Sequence, residues 1–391
     1  MTQHPPAGPH LGAHLRFQPR IRRGAFFDAS WQAGCRNWSV YNRTYISGPF
    51  SDPVEEYWQV LEKVAIWPVM GERQVEVSGP DAARLIQYLT PRDLSDAQVG
   101  QCKYVLITSH SGGVLCDPIL CKLADDRFWL STSDVDLELW AAGVAAGGGY
   151  DVTVRDANVA LIQVQGPKSP HVLSALFGDA ILDLKNYWFT EVMFQGATMW
   201  VSRTGWSGEF GYEVYVADPA LGTPLFEALM EAGAPWDIAP GSVNHPKRIE
   251  AGILSQGVDM TPEDSPFEVG LGRLVQLSPD RPCIGYDALA RAASVPPGRW
   301  VVGLGVDGDA LHPNETRWPL TQDGAPVGSL TSLAWSPRLE RNIALGIVAA
   351  DHATQGTVLD LMTWDGPRRA MVEGLPFMPK RSGGNARDLM R

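Results

Sequence analysis

One phrase occurs twice in this sequence and limits what the chain can fold into. Arg73 to Ser78 alternates polar and apolar residues as a strand does, Gly79-Pro80 breaks it, and Ala82–Leu89 has helical spacing, with Asp81 placed to cap it. Roughly eighty residues later the phrase returns. Val159 to Val164 reads as a strand, Gly166-Pro167 breaks it, and Ser169–Leu176 reads as a helix. A supersecondary unit repeated in this way predicts an internal duplication, two related α/β domains built on one plan. Past Pro296-Pro297 the character changes. Arg299–Val306, Val327–Leu333, Ile343–Val348, Val358–Met362 and Arg369–Val372 are short strands divided by Gly, Pro and Asp, the pattern of a small barrel or sandwich.

The expected layout is an N-terminal extension over 1–30, an α+β domain over 31–150, a second over 151–295, a C-terminal β-barrel over 296–378 and a tail over 379–391. Residues 1–14 are rich in Pro, Gly and His and lack periodicity, which predicts a loose end. The segment carrying Arg16, Arg20, Arg22 and Arg23 reads as a solvated basic stretch. Asp52 to Glu62 reads as a helix start, with Asp at the cap, Pro in the first turn and acidic residues near the positive end of the dipole.

Composition excludes several classes. A chain of 391 residues exceeds one ordinary domain, and 45% hydrophobic against 19% charged residues excludes a largely disordered one. The net charge of -12 excludes a general polyanion binder, so no nucleic-acid partner is expected. Five Cys without a CxxC indicate neither a disulfide framework nor a zinc ribbon. Eight scattered His without HxH or HExxH give no metal site. The start lacks the apolar core of a secretory signal, and no uncharged apolar run approaches the roughly 18 residues of a membrane span. A soluble cytoplasmic protein with reduced thiols and no membrane partner is expected. Gly303-Leu-Gly305-Val-Asp-Gly308 matches GxGxxG, but a poor helix former succeeds it, Leu311-His312-Pro313-Asn314, so it reads as a turn.

Two loops carry chemistry. In His110-Ser-Gly-Gly-Val-Leu-Cys-Asp117-Pro118 a double Gly permits a tight hairpin that delivers Asp117 to the next strand, which an ordinary hairpin would also do. In Arg203-Thr-Gly-Trp206-Ser-Gly-Glu209-Phe-Gly-Tyr212-Glu213-Val-Tyr215, three Gly let the backbone run close to something while Arg, Trp, Glu and Tyr crowd the same positions. Period two puts Glu213 and Tyr215 on one face of a strand. Flanked by Tyr212, Val214, Tyr215 and Val216, Glu213 reads as partly buried and in need of hydrogen-bond donors. A flat ring bearing N–H groups would supply them.

These two loops, together with several segments C-terminal to them, resemble the glycine-cleavage T-protein family, the folate-dependent aminomethyltransferases. The matching residues are Gly112-Gly113-Val-Leu-Cys116-Asp117, Arg203 to Glu213, Arg248-Ile-Glu250-Ala-Gly252, Phe267-Glu268-Val-Gly270-Leu and Cys283-Ile-Gly285. Gly328-Ser-Leu-Thr331-Ser332, Asn342-Ile-Ala-Leu-Gly346 and Leu375-Pro376-Phe377 resemble the family's final barrel. Within the family the chain is most similar to the dimethylsulfoniopropionate demethylases, through Val40-Tyr41-Asn42, Glu55-Glu-Tyr57-Trp58, Ile66-Trp67, Glu72-Arg73-Gln74-Val75-Glu76, Arg92-Asp93-Leu94-Ser95, Asp117-Pro118-Ile-Leu120, Gly166-Pro167-Lys168-Ser169 and Gly211-Tyr-Glu-Val-Tyr215-Val. The chain departs from the aminomethyltransferases at Cys116, where they carry an Asp used on folate, and in Ser242-Val243-Asn244-His245, where they carry Ala-Arg-Asp.

The resemblance implies an α+β, T-protein-like fold of three domains around a central folate channel. It implies methyl transfer to N5 of tetrahydrofolate, with dimethylsulfoniopropionate as donor and methylmercaptopropionate as product. A sulfonium methyl leaves a neutral thioether, so the chemistry asks for positioning at about 3–3.5 Å rather than a catalytic acid or a metal. Aromatic faces attract the cation by about 0.5–2 kcal/mol each. Trp188, Trp206 and Tyr215 are the expected substrate cage. Tyr104, Trp206, Glu213 and Tyr215 are the expected folate contacts, with Glu213 on the pterin and Arg248 structural. The donor's carboxylate needs a cation, for which the segment Arg16–Arg23 is the candidate. A homodimer is compatible. A betaine, a methylated amine or an ether as donor, and a folate-binding factor without turnover, stay open as alternatives.

Overall fold

The computed structural model describes residues 17–390. Strands β1 (Arg22–Arg23), β2 (Trp38–Tyr41) and β3 (Thr44–Ser47) form a small sheet in the order β1-β3-β2, and helix α1 (Phe27–Gln32) packs Phe27 beneath it. The basic segment is consumed by this packing. Arg22 donates to Asp156 at 2.9 Å, and the Arg23 guanidinium lies 4.0 Å from the centre of the Phe17 ring. Trp38 meets Phe27 with ring centres 4.3 Å apart. The segment therefore belongs to the fold and not to a separate extension, and Arg22 and Arg23 already have partners; Arg16 lies outside the described residues. Helix α2 (Pro53–Glu62) starts where the sequence predicts, with the Asp52 carboxylate accepting from the Val54 and Glu55 N–H groups.

The duplication is present, and its two halves exchange a strand. The first repeat runs through β4 (Ala65–Pro68), β5 (Arg73–Ser78), α3 (Ala82–Leu89), β6 (Cys102–Tyr104), a small hairpin of β7 (Ile107–Thr108) and β8 (Val114–Cys116), β9 (Ile119–Ala124), β10 (Arg127–Thr132) and α4 (Leu137–Gly148). The second runs through β11 (Thr153–Asp156), β12 (Ala160–Gln165), α5 (Ser169–Phe177), β13 (Phe189–Phe194), β14 (Ala197–Ser202), β15 (Gly211–Val216), α6 (Gly222–Gly233), β16 (Ala239–Pro240) and α7 (His245–Glu250). The sheets are ordered β11-β5-β10-β9-β6 and β13-β14-β15-β12-β4-β16. Thus β4, the first strand of the first repeat, pairs with β12 of the second, while β11, the first strand of the second, pairs with β5 of the first. A cut near residue 150 separates the repeats in sequence but not the sheets in space.

The Gly-Pro breaks have a common cause. Gly79 and Gly166 sit at φ of 128° and 119°, and a Cβ there would meet the Asp151 carbonyl oxygen at 2.8 Å and the Lys63 carbonyl oxygen at 2.5 Å. Each glycine is where an exchanged strand's connection presses against the repeat. Asp81 does not cap α3; its carboxylate accepts from Arg84 and from the Asp151 N–H at 3.0 Å, tying the helix start to that connection.

Leu85, Leu89 and Ala141 cover the outer face of the first sheet, and Val172, Leu173, Leu225 and Leu229 that of the second. The inner faces meet each other. Cys102, Cys121 and Trp129 pack on Leu161, Trp200 and Tyr215, and Trp129 stands edge-on to Trp200 with ring centres 4.9 Å apart.

After α8 (Tyr286–Ala293), strands β17 (Arg299–Val306), β18 (Trp318–Gln322), β19 (Ala325–Ser336), β20 (Arg341–Ala349), β21 (Val358–Thr363) and β22 (Gly366–Glu373) close a barrel in the order β17-β20-β19-β18-β21-β22. The GxGxxG stretch lies in β17 and the turn after it, with no helix behind it. The residues beyond Pro379 are docked rather than trailing. Arg203, buried with its guanidinium 3.5 Å from the centre of the Phe210 ring, donates to the carbonyls of Ser382 and Gly384. A short helix α9 (Ala386–Leu389) buries Ala386, and Arg387 pairs with Asp183 at 2.6 Å. A buried guanidinium needs acceptors, and the C-terminal segment supplies them.

Candidate active site

The strand exchange brings three carboxyl groups to the layer between the sheets. Glu72 lies on the link from β4 to β5, where the chain crosses from one sheet to the other, and Ser131 at the end of β10 donates to its Oε1 at 2.6 Å. Asp117 comes directly after β8 and accepts from the Tyr104 hydroxyl at 2.8 Å. Glu213 on β15 stands opposite Gln163 on β12 in the ladder. It accepts from Gln163 Nε2 at 2.7 Å, from the Tyr215 hydroxyl at 3.2 Å, from Ser202 Oγ at 3.4 Å and from Thr204 Oγ1.

Burial pushes the Glu72 carboxyl up to about 8, and the charges of Glu213 and Asp117 push the same way. Burial lifts Asp117 to about 7 against the stabilising Tyr104 hydroxyl. Glu213 is also raised by burial, opposed by its four donors. The Cys116 thiol, 3.0 Å from Thr132 Oγ1, is lifted to about 11 by burial and the Asp117 charge. It is a poor nucleophile at neutral pH.

These carboxyls differ from the other buried ones. Glu76 meets Arg127 and Arg155, Glu209 meets Lys247, Glu250 meets Lys247 and Arg338, Asp259 meets Arg248, and Asp264 meets Arg299. Glu56 accepts from the backbone N–H groups of Phe50, Ser51 and Ser242. Among the described residues no Lys, Arg or His nitrogen lies within 4.0 Å of Glu72, Asp117 or Glu213. The site is also not sealed. Glu72, Asp117 and Tyr104 are half-buried and retain accessible surface. Beside them the Gln163 side-chain oxygen, buried, has no partner among the described residues. A layer of uncompensated carboxyls with a spare amide acceptor beside it suits a ligand that brings N–H donors and positive charge.

Tyr104, Glu213 and Tyr215 are thus gathered in one layer. Trp188 is half-buried with its ring against Gly100, and its backbone bridges Arg203. Trp206, half-buried, lines a cavity of about 560 Å³ with His245, Asn314, Thr331 and Ser332, and the Arg248 guanidinium lies 5.5 Å from its ring centre. Arg248 is held by Asp259 at 2.6 Å and Ser332 at 2.7 Å, so it ties α7 to the barrel. Sequence reasoning missed Glu72 and Gln163 as site residues. The signal for Glu72 was there: the matching place in the second repeat is the apolar Val159.

Two interlocked α+β repeats, a glycine-rich hairpin over a buried carboxyl layer and a closing barrel define a T-protein-type fold. The GCVT N-terminal domain model matches residues 27–279, and the glycine cleavage T-protein C-terminal barrel domain model matches residues 299–378. The chain belongs to the glycine cleavage T-protein family. It is 38% identical over 353 residues to the dimethylsulfoniopropionate demethylase of Ruegeria pomeroyi, covering 90% of this chain and 96% of that one. It is 36% identical over 313 residues to an aminomethyltransferase of Streptomyces avermitilis, covering 78% and 83%. A trimethylamine-oxide aldolase of Ruegeria pomeroyi is 31% identical over 378 residues, 90% of this chain but 46% of that protein. The crystal structure of aminomethyltransferase T from Bartonella henselae superimposes with a TM-score of 0.82 at 22% identity, over 92% of this chain and 99% of that one, and shares the fold.

Proposed function

We propose that the protein is a tetrahydrofolate-dependent demethylase that moves a methyl group from dimethylsulfoniopropionate to N5 of tetrahydrofolate, giving methylmercaptopropionate and 5-methyltetrahydrofolate. The observation that carries this reading is the layer of three cation-free carboxyls. Glu213, with the spare oxygen of Gln163, accepts from the N–H edge of the pterin, and Tyr104 and Tyr215 flank it. The reaction breaks the S–CH₃ bond, its electron pair passing to sulfur, while the N5 lone pair forms the new C–N bond. The positive charge moves to N5 and leaves as a proton, for which Asp117, raised to about 7, is a matched acceptor. The chain's work is to hold donor and acceptor in line and exclude water. Arg273, whose charge acts on Tyr104, and Arg92 and Lys380, each close enough for the Arg273 charge to act on it, are the candidates for the anionic groups of the ligands. They replace the Arg16–Arg23 segment in that role.

The likeness to a protein named for trimethylamine oxide keeps nitrogen-based donors in view. Incubating the protein with tetrahydrofolate and, separately, dimethylsulfoniopropionate, a betaine, a methylated amine and an aryl ether, then measuring 5-methyltetrahydrofolate, decides among them. Product from the sulfonium supports the proposal, product from another donor alone reassigns the substrate, and folate binding without product from any donor defeats it.

A further inference from the structure

We infer that Glu72 is the counter-ion for the positive centre of the methyl donor and the residue by which this site prefers onium donors over uncharged ones of the same shape. The inference rests on the demethylase reading and assigns a position that reading leaves empty. The three carboxyls are not equivalent. Glu213 already receives four donors, spread over both its oxygens. Asp117, like Glu72, accepts from one hydroxyl, that of Tyr104, but the demethylase reading already gives it the proton released from N5. Glu72 is held by one hydroxyl, Ser131, on Oε1, and its Oε2 has no hydrogen-bond partner among the described residues. That oxygen is not sealed in protein: unlike the unpartnered Gln163 oxygen it is not among the buried atoms, and the residue keeps accessible surface.

Its anchorage is firm at both ends. The Glu72 N–H donates to the Val69 carbonyl at 3.0 Å, closing a turn in the β4–β5 link, and Gln74 Nε2 donates to the Glu72 carbonyl at 3.3 Å. A carboxylate fixed by backbone and by one side-chain bond, with its second oxygen unpartnered among the described residues, is preorganised for a charge that arrives with the ligand. A sulfonium or quaternary ammonium centre has no N–H to donate, so a carboxylate can meet it only by charge. A carbon centre of equal size gains nothing there. Glu213 and Asp117, close enough for their charges to act on Glu72, add to the same field. The repeat supplies an internal contrast: the matching place on the other crossing strand is Val159, buried and apolar, so the charge is confined to one side of the layer.

The test compares two ligands that differ in one atom. Dimethylsulfoniopropionate and 4-methylpentanoate have the same shape and the same carboxylate, with sulfonium in one and a C–H carbon in the other. Calorimetric affinities are measured on the full chain without folate, so no turnover enters. The native protein is expected to prefer the sulfonium by about tenfold or more. Glu72→Gln, which keeps the size and can keep the Ser131 bond, is expected to bring the ratio near one with tetrahydrofolate affinity unchanged. Glu72→Asp, which keeps the charge, is expected to retain most of the preference and decides the matter if the Gln variant does not fold. A preference surviving in Glu72→Gln, absent from Glu72→Asp, or absent from the native protein overturns the assignment. Failure of the demethylase reading shows separately, as native protein that forms no 5-methyltetrahydrofolate from any donor.

Discussion

Gln163 and Glu213 face each other across β12 and β15, the amide nitrogen 2.7 Å from the carboxylate, and the amide oxygen points to no protein donor among the described residues. The pair presents two acceptors side by side, one of them a carboxylate kept from cations. In the first repeat the matching ladder pair is Glu76 and Trp129, where the indole N–H donates to the carboxylate at 2.9 Å and two arginines complete it. One plan thus yields a finished structural knot in one repeat and an unfinished acceptor pair in the other. Under the proposed function, the unfinished pair is the place for the pterin's N–H edge.

Glu213→Gln is expected to weaken tetrahydrofolate binding by roughly tenfold to a hundredfold, the worth of a hydrogen bond to a charged group, about 1.5–3 kcal/mol. The fold should be kept, since an amide still accepts from Tyr215 and Thr204. Fluorescence titration with tetrahydrofolate checks it. Undiminished affinity means the pterin lies elsewhere.

The general plan was legible in the sequence because it is local. The Gly-Pro breaks at 79 and 166 mark real turns, and the hairpin Arg203–Glu213 is built from its own glycines. What escaped is the non-local part. Nothing in the order of residues says that β4 pairs with β12, so the place where Glu72 meets the carboxyls of a different loop and strand could not be read. The docking of residues 380–390 escaped for the same reason, because it depends on Arg203 needing carbonyl acceptors far along the chain. Glu209 lies in the same glycine-rich loop as Glu213, yet Lys247 Nζ holds it at 2.6 Å in a buried ion pair, and only tertiary structure separates the two.

Without ligand, the protein's stability should fall with rising pH. Glu72 and Asp117 have folded-state values raised to about 8 and about 7, above their unfolded values. An acid raised in this way contributes stability that is fully present below its unfolded value and is lost as pH rises through the folded one. The melting temperature of the ligand-free protein is therefore expected to drop by several degrees between about pH 6 and pH 9, and Glu72→Gln should flatten part of that slope. Calorimetric scans across the range test it; a flat profile for the native protein contradicts the raised values.

The same linkage predicts proton release on binding. A cationic donor favours the ionised form of Glu72, so its binding near pH 7 should expel a fraction of a proton, and affinity should climb as pH approaches about 8. Calorimetry in two buffers of different ionisation heat measures the release. Proton uptake, or none, places the onium away from this carboxyl.

Glu250 joins the parts of the molecule that frame the site. It accepts from the Tyr57 hydroxyl of α2 at 2.7 Å, from Ser336 of β19 at 2.6 Å, from Lys247 of α7 at 3.3 Å and from Arg338 at 2.5 Å. Removing the carboxylate leaves two cations facing each other, one fully buried, so Glu250→Ala is expected to cost about 3–5 kcal/mol. Lys247 also holds Glu209 of the glycine-rich hairpin, and loosening it should blur the positions of Trp206 and Glu213. Denaturant unfolding should show the midpoint shift, and folate affinity should fall alongside although Glu250 touches no ligand. A variant that loses stability but binds folate as before would separate the framework from the hairpin it supports.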